Sequence, residues 1–256
     1  MYKVLFPETD NEYIKEASEK LSGVCEPVLD NVDLQSAAVK LVDGEVDALV
    51  AGIDYSSRDV ILATRDVVGI PEGKNTFSSL FVAKFPDGRR IIISDGATCK
   101  NPTDAQLADI IELAHDAAAK ILDDEPLLAV LSFSTFGSGG KDPSMDKTAS
   151  AIATIRDRRP DIKVDGEMQL DAAVNPRVGE KKSAAKGGSE VAGHANVLIV
   201  PDINSGNILY KSIEQFAGAT VAGPILLGFN KPVSDLSRGS TVEDIILTTE
   251  SLLKLV

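Results

Sequence analysis

The feature that most narrows the possible folds is an alternation of short apolar runs with amphipathic ones, begun at Lys3 and sustained almost to the end of the chain. Lys3–Phe6 is a short apolar run ended by Pro7, and Asn11–Leu21 spaces its apolar and charged residues at the helical period. Val24–Leu29 predicts a second strand, Leu34–Leu41 a second helix, and Ala48–Gly52 a compact buried strand followed by a polar turn and a helix from about Ser57. Strand–helix alternation of this kind favours a parallel sheet covered on both faces.

The rhythm breaks after Gly69. Thr76–Phe85 and Arg90–Ser94 are strand-like and flank Pro86-Asp87-Gly88, which predicts a hairpin. Alternation then resumes with a helix over Thr103–Leu122, entered through Asn101-Pro102-Thr103. A buried strand at Leu127–Phe133 and a helix at Ser144–Arg156 follow. Further strands are predicted at Ile162–Val164, Val197–Val200 and Ala222–Leu227, and a last helix runs from Val242 to about Leu255. The break near Ile70 predicts a domain boundary, and a 256-residue chain suffices for one large or two small domains.

Charge and cysteine usage exclude several function classes. The formal net charge is −13, whereas nucleic-acid binding needs clustered lysine and arginine. Cys25 and Cys99 are too few for a disulfide framework and have no metal-ligand spacing. His115 falls in a predicted helix, His194 has no partner within motif distance, and no metal site is expected. No run approaches the ~18 apolar residues of a membrane span. The chain goes from Met1 straight into a strand without a basic, then apolar, leader, so the expected location is cytoplasmic.

Four stretches carry chemistry. In Lys231–Asp244 a short apolar run that can end a strand leads through Ser237-Arg238-Gly239-Ser240-Thr241 into a helix, with Ser240 and Glu243 at capping-box spacing. Helix entry near Thr241 favours an anion beside Arg238, through free N–H groups and the positive dipole end. Ser237, Arg238 and Asp244 can thus face one small volume, a set suited to a phosphate-bearing electrophile with a base beside it. The other stretches are Asp165–Ala173, Ser189–Asn196 and Pro201–Lys211. In this order the four resemble the phosphotransacetylases, the phosphate acetyl- and butyryltransferases, nearly without gaps from about Asn101 to Ile245.

The resemblance implies transfer of an acyl group between coenzyme A and inorganic phosphate, with coenzyme A as substrate, in a homodimer. It also implies two α/β domains with mainly parallel sheets and a cleft between them, as in isocitrate and isopropylmalate dehydrogenases. The C-terminal segment would return to the first domain, giving residues 1–70 plus 226–256 and residues 71–225. Asp244 would be the base. A thiol near pKa ~8.5 yields its proton to a carboxylate near ~4 only at a cost of about 6 kcal/mol, which the site must reduce. Arg238 would hold two oxygens of the transition state at once, with Ser237 donating to the same oxyanion. Ser57 matches a substrate-contacting serine, and Asn207 is the polar contact chosen among Asp202, Asn204, Asn207, Tyr210 and Lys211.

The sequence also departs from the family pattern. Leu62 stands where relatives have a functional arginine, and the link from Leu29 to Gly44 lacks a segment that carries another. Arg58, Leu62 and Arg65 are spaced to share a helix face, so Arg58 or Arg65 is a candidate replacement, against the alternative that both are solvated. Lys181, Lys182 and Lys186 are candidates for cofactor phosphates or a solvated run, and Gly137–Lys141 lacks P-loop spacing. A butyryl or propionyl preference, and a binding or regulatory homologue without turnover, stay open. A decarboxylating dehydrogenase is disfavoured by the absence of a GxGxxG turn and of metal-binding aspartates.

Overall fold

The computed structural model describes residues 1–256 and contains one ten-stranded sheet. In chain order the strands are β1 (Lys3–Phe6), β2 (Glu26–Leu29), β3 (Ala48–Ala51), β4 (Ser78–Lys84), β5 (Arg90–Ser94), β6 (Leu128–Leu131), β7 (Val164–Met168), β8 (Val197–Ile199), β9 (Thr220–Leu227) and β10 (Val233–Asp235). Across the sheet they lie in the order β2-β1-β3-β10-β9-β4-β5-β8-β6-β7. The first four form one parallel block and the last four another. The predicted hairpin β4–β5 and the two antiparallel pairings of β9 join the blocks.

Nine helices connect and cover these strands: α1 (Glu12–Leu21), α2 (Leu34–Val42), α3 (Ser57–Ala63, continued by a π-helical turn over Thr64–Val68), α4 (Asp104–Ile121), α5 (Pro143–Arg158), α6 (Leu170–Val174), α7 (Pro176–Ser183), α8 (Ile203–Ala217) and α9 (Val242–Leu253). On one face α1, α4, α5 and α9 pack over a continuous core of 37 buried residues. On the other the core is divided, with 12 residues under α2 and α3 and 16 under α6 and α8. That division leaves the middle of this face open.

The C-terminal segment lies with the first three strands. β10 pairs with β3 in parallel register, Asp235 opposite Ala51, and α9 packs on α1. Ile14 and Leu21 on α1, with Ile245 and Leu252 on α9, are fully buried. Each contributes about 1.5–3 kcal/mol.

One strand was misplaced by sequence pattern. β7 starts at Val164 and continues through Asp165-Gly166-Glu167, because β6 supplies its ladder and other side chains satisfy both acids. Asp165 accepts from Lys186 and Ser189, and Glu167 from Ser134 and the Gly137 N–H. No helix is long and apolar enough to cross a membrane.

Candidate active site

A cavity of about 880 Å³ opens between the two smaller clusters, with Phe81 and Pro224 of β4 and β9 in its wall. Most of its polar wall follows strand ends: Gly52 and Ser57 after β3, Ala97 after β5, Ser237 and Arg238 after β10, and Asn207 on α8, which follows β8. Ligands of open α/β sheets bind outside the carboxyl ends of strands.

Buried acids fix these loops. Glu8, just past β1, accepts from the N–H groups of Gly52 (2.9 Å), Asp54 (2.6 Å) and Tyr55 (3.2 Å). Burial pushes its carboxyl up, against the pull of those amides. Asp95 accepts from the amides of Ala97, Thr98 and Cys99, and from the hydroxyls of Ser79 and Thr98. α8 can press on the Asp95 loop because Gly206 faces it: a Cβ there would stand 2.7 Å from the Gly96 Cα and 2.8 Å from the Asp95 carbonyl oxygen. Asp202 caps the same helix through the Ser205 N–H at 2.9 Å.

Ser237 begins a turn in which its carbonyl accepts from the Ser240 N–H (2.9 Å) and its Oγ from the Gly239 N–H (3.3 Å). Arg238 sits at the exposed tip, without an ion pair or hydrogen bond in the chain. The helix cap that follows differs from the predicted Ser240–Glu243 pair by one residue. Thr241 is the N-cap and Asp244 its reciprocal partner, because Ser240 is already committed to the turn. The shift turns Asp244 inward, only 4% exposed, and sends Glu243 outward toward Lys20.

Asp244 Oδ2 accepts from the Thr241 N–H (2.8 Å) and Oγ–H (2.7 Å), and Oδ1 from the Val221 N–H (3.2 Å). Three of roughly four acceptor positions on the carboxylate are therefore occupied. The fourth, on Oδ1, has no donor within the chain.

Asp244, Ser237, Arg238, Ser57 and Asn207 all line this one cavity. Arg58 and Arg65 do not. Arg65 is drawn into the π-helical turn and pairs with Asp66 at 2.8 Å, while Arg58 is exposed at the start of α3. Leu62 is half-buried and also outside the wall. Lys182 pairs with Asp171 (3.0 Å), and Lys186 pairs with Asp165 (2.7 Å) and lies over the Phe136 ring. Neither these lysines nor Gly137–Lys141 reach the cavity.

Two functional candidates were not chosen from the sequence, although Lys211 stood in the set from which Asn207 was taken. Lys211, one turn beyond Asn207 on α8, is the second cation in the wall beside Arg238, against Glu214, Glu243 and Asp244. Asp235 closes β10 just behind the wall, and burial pushes its carboxyl up to about 7. The position of Asp235 at the end of a short apolar run is the only trace it leaves in the sequence.

The profile of the family described as phosphate acetyl/butaryl transferase matches residues 8–250. The chain belongs to that family. Phosphate acetyltransferase of Clostridium acetobutylicum is 40% identical over 218 residues, covering 83% of this chain and 64% of the relative. That of Treponema pallidum is 40% identical over 220 residues, covering 83% and 65%. The chain thus spans somewhat less than two thirds of the length of these curated relatives. Among solved structures, a phosphotransacetylase from Streptococcus pyogenes superposes with a TM-score of 0.84 at 29% identity, covering 99% of this chain and 94% of that one. The EutD phosphotransacetylase from Staphylococcus aureus gives 0.84 at 25% identity with the same coverage.

Proposed function

We propose that this family member is a phosphate acyltransferase that interconverts acetyl-CoA and phosphate with acetyl phosphate and CoA. The observation that carries the reading is the convergence of Ser237, Arg238, Ser57 and Asn207 with the carboxylate of Asp244 at one cavity. In the thioester-forming direction Asp244 takes the thiol proton at Oδ1, and the sulfur attacks the carbonyl carbon of the acyl phosphate. The bond from that carbon to the bridging oxygen breaks, and phosphate leaves with the electron pair. Arg238, free of any partner in the chain, bridges the carbonyl oxygen and the leaving phosphate, and Ser237 donates to the same oxyanion. No acyl-enzyme forms, since neither serine has a histidine base beside it.

The reading includes a homodimer of two-domain subunits, residues 1–70 plus 226–256 against residues 71–225, in the cytoplasm. Its test is a thioester-formation assay with CoA and acetyl, propionyl or butyryl phosphate. Turnover with acetyl phosphate at the highest kcat/KM is expected. Turnover only with the longer acyl phosphates would replace acetyl transfer by butyryl or propionyl transfer.

One observation favours a second reading, a binding or regulatory protein with little turnover. The cavity wall holds two cations, Arg238 and Lys211, against three carboxylates, and neither Arg58 nor Arg65 adds to them. Acetyl phosphate and CoA binding without thioester formation would establish it.

A further inference from the structure

Asp235 is the one side chain whose buried polar atoms find no hydrogen-bond partner in the chain, and both its carboxyl oxygens are orphaned. It is fully buried at the end of β10, two residues before Ser237. It stands directly behind the cavity wall: a Cβ on Gly52 would lie 2.5 Å from Oδ1. Helix α3 packs on β10 and starts at Ser57, a wall residue whose hydroxyl acts on this carboxyl although the two do not meet in hydrogen-bond geometry. From the end of β1 comes Glu8, itself tied to the amides of Gly52, Asp54 and Tyr55 and repelled by Asp54. Of the groups that act on Asp235, Ser57 favours its charge and Glu8 opposes it, and no cation is among them.

A buried carboxyl without a cation is held neutral, and a neutral carboxyl has a proton to give. We infer that Asp235 is a positioning residue for Ser57: when an anion binds, a small shift of the Ser57 hydroxyl lets the Asp235 O–H donate to Ser57 Oγ, which turns the Ser57 proton into the cavity as a donor to an anionic oxygen. Ionised, Asp235 would instead accept the Ser57 proton and leave Ser57 lone pairs facing the anion. This rests on the proposed reading of the cavity as a site for a phosphoryl group. Burial, opposed by Ser57 and aided by Glu8, sets the change between the two arrangements at about 7. Anion binding is therefore strong on the acid side, where Asp235 is neutral, and weakens as pH rises through that value.

The test is calorimetric titration with sulfate, a phosphate isostere whose charge is constant, from about pH 5.5 to 9, across the carboxyl's titration. The wild-type chain should lose about tenfold to a hundredfold in affinity across that range, the value of one hydrogen bond to a charged group. Asp235→Asn, whose amide donates at every pH, should hold its affinity within about threefold. Ser57→Ala should bind weakly and without the pH dependence. A flat wild-type profile, a fall retained in Ser57→Ala or Asp235→Asn, or no sulfate binding at all would overturn the inference. If Asp235→Asn does not fold, the wild-type and Ser57→Ala profiles decide it. Thioester formation is read separately, so a titrating but inactive protein counts only against the acyl-transfer reading, and an active protein with a flat profile only against this one.

Discussion

Replacing Asp244 by asparagine tests the base and the helix cap together, and the structure predicts a cost for each. The carboxylate offers one oxygen to Val221 and the other to the backbone and hydroxyl of Thr241. Asparagine has one acceptor oxygen, so in either amide orientation a backbone N–H at Val221 or Thr241 faces an NH₂ group. An unsatisfied buried donor costs about 1–3 kcal/mol. At 2–4 °C per kcal/mol for a chain of this size, the melting temperature should fall by about 4–8 °C for a loss of about 2 kcal/mol. The substitution is therefore not neutral for folding, as a purely catalytic aspartate would be.

If Asp244 also takes the thiol proton, kcat for thioester formation should drop by about 10²–10⁴. Thr241→Ala separates the two effects. It removes the N-cap hydroxyl, worth about 1 kcal/mol, and leaves the carboxylate in place. Its activity should fall by less than about tenfold, below the range of general-base catalysis. Activity of Asp244→Asn within a few-fold of wild type would remove Asp244 from the chemistry. An equal loss in Thr241→Ala would assign the effect to the cap instead.

Arg238→Lys keeps the charge but not the fork, and kcat/KM should fall by about 2–4 kcal/mol; a near-normal lysine variant would mean that charge alone suffices. Lys211→Met should raise KM for acetyl phosphate or CoA by about tenfold, because only one cation then remains in the wall, and an unchanged KM would place Lys211 outside the bound complex. Arg58→Ala and Arg65→Ala should each change kcat/KM by less than about threefold, since neither lines the cavity; a large loss in either alanine variant would show that the helix moves on binding. The Asp235 carboxyl, at 3.8 in the unfolded chain and about 7 in the folded one, gives stability that is complete below about pH 4 and lost as pH rises through about 7. The difference is on the order of 4 kcal/mol, so Asp235→Asn should flatten the decline of melting temperature between about pH 5 and 8, and parallel curves would refute the assignment.

What could be read from the sequence was what local period determines. Apolar runs and amphipathic segments gave the parallel blocks, and Pro86-Asp87-Gly88 gave the β4–β5 hairpin, because each depends on residues within a turn or two of one another. The joining of the two blocks was not legible, since β9 pairs with β4 across more than a hundred residues of chain. The cap frame was missed for a related reason. Ser240 and Thr241 both have capping side chains, and the choice between Glu243 and Asp244 is made by the Ser237 turn and the Val221 amide on β9. A one-residue shift exchanges an exposed acid for a buried one, both at the cavity wall. Arg58 and Arg65 show the limit of periodicity in the opposite sense. Regular α-helical spacing gives them one face, but the π-helical turn at Thr64–Val68 changes that phase, and helix spacing alone never says which way a face points. Buried acids are the least legible of all. Glu8, Asp95 and Asp235 each follow or close a strand, yet Glu8 and Asp95 are saturated by loop amides while Asp235 has nothing. Only the packing of α3 on β10 decides that this third acid has a hydroxyl from the cavity wall as its neighbour.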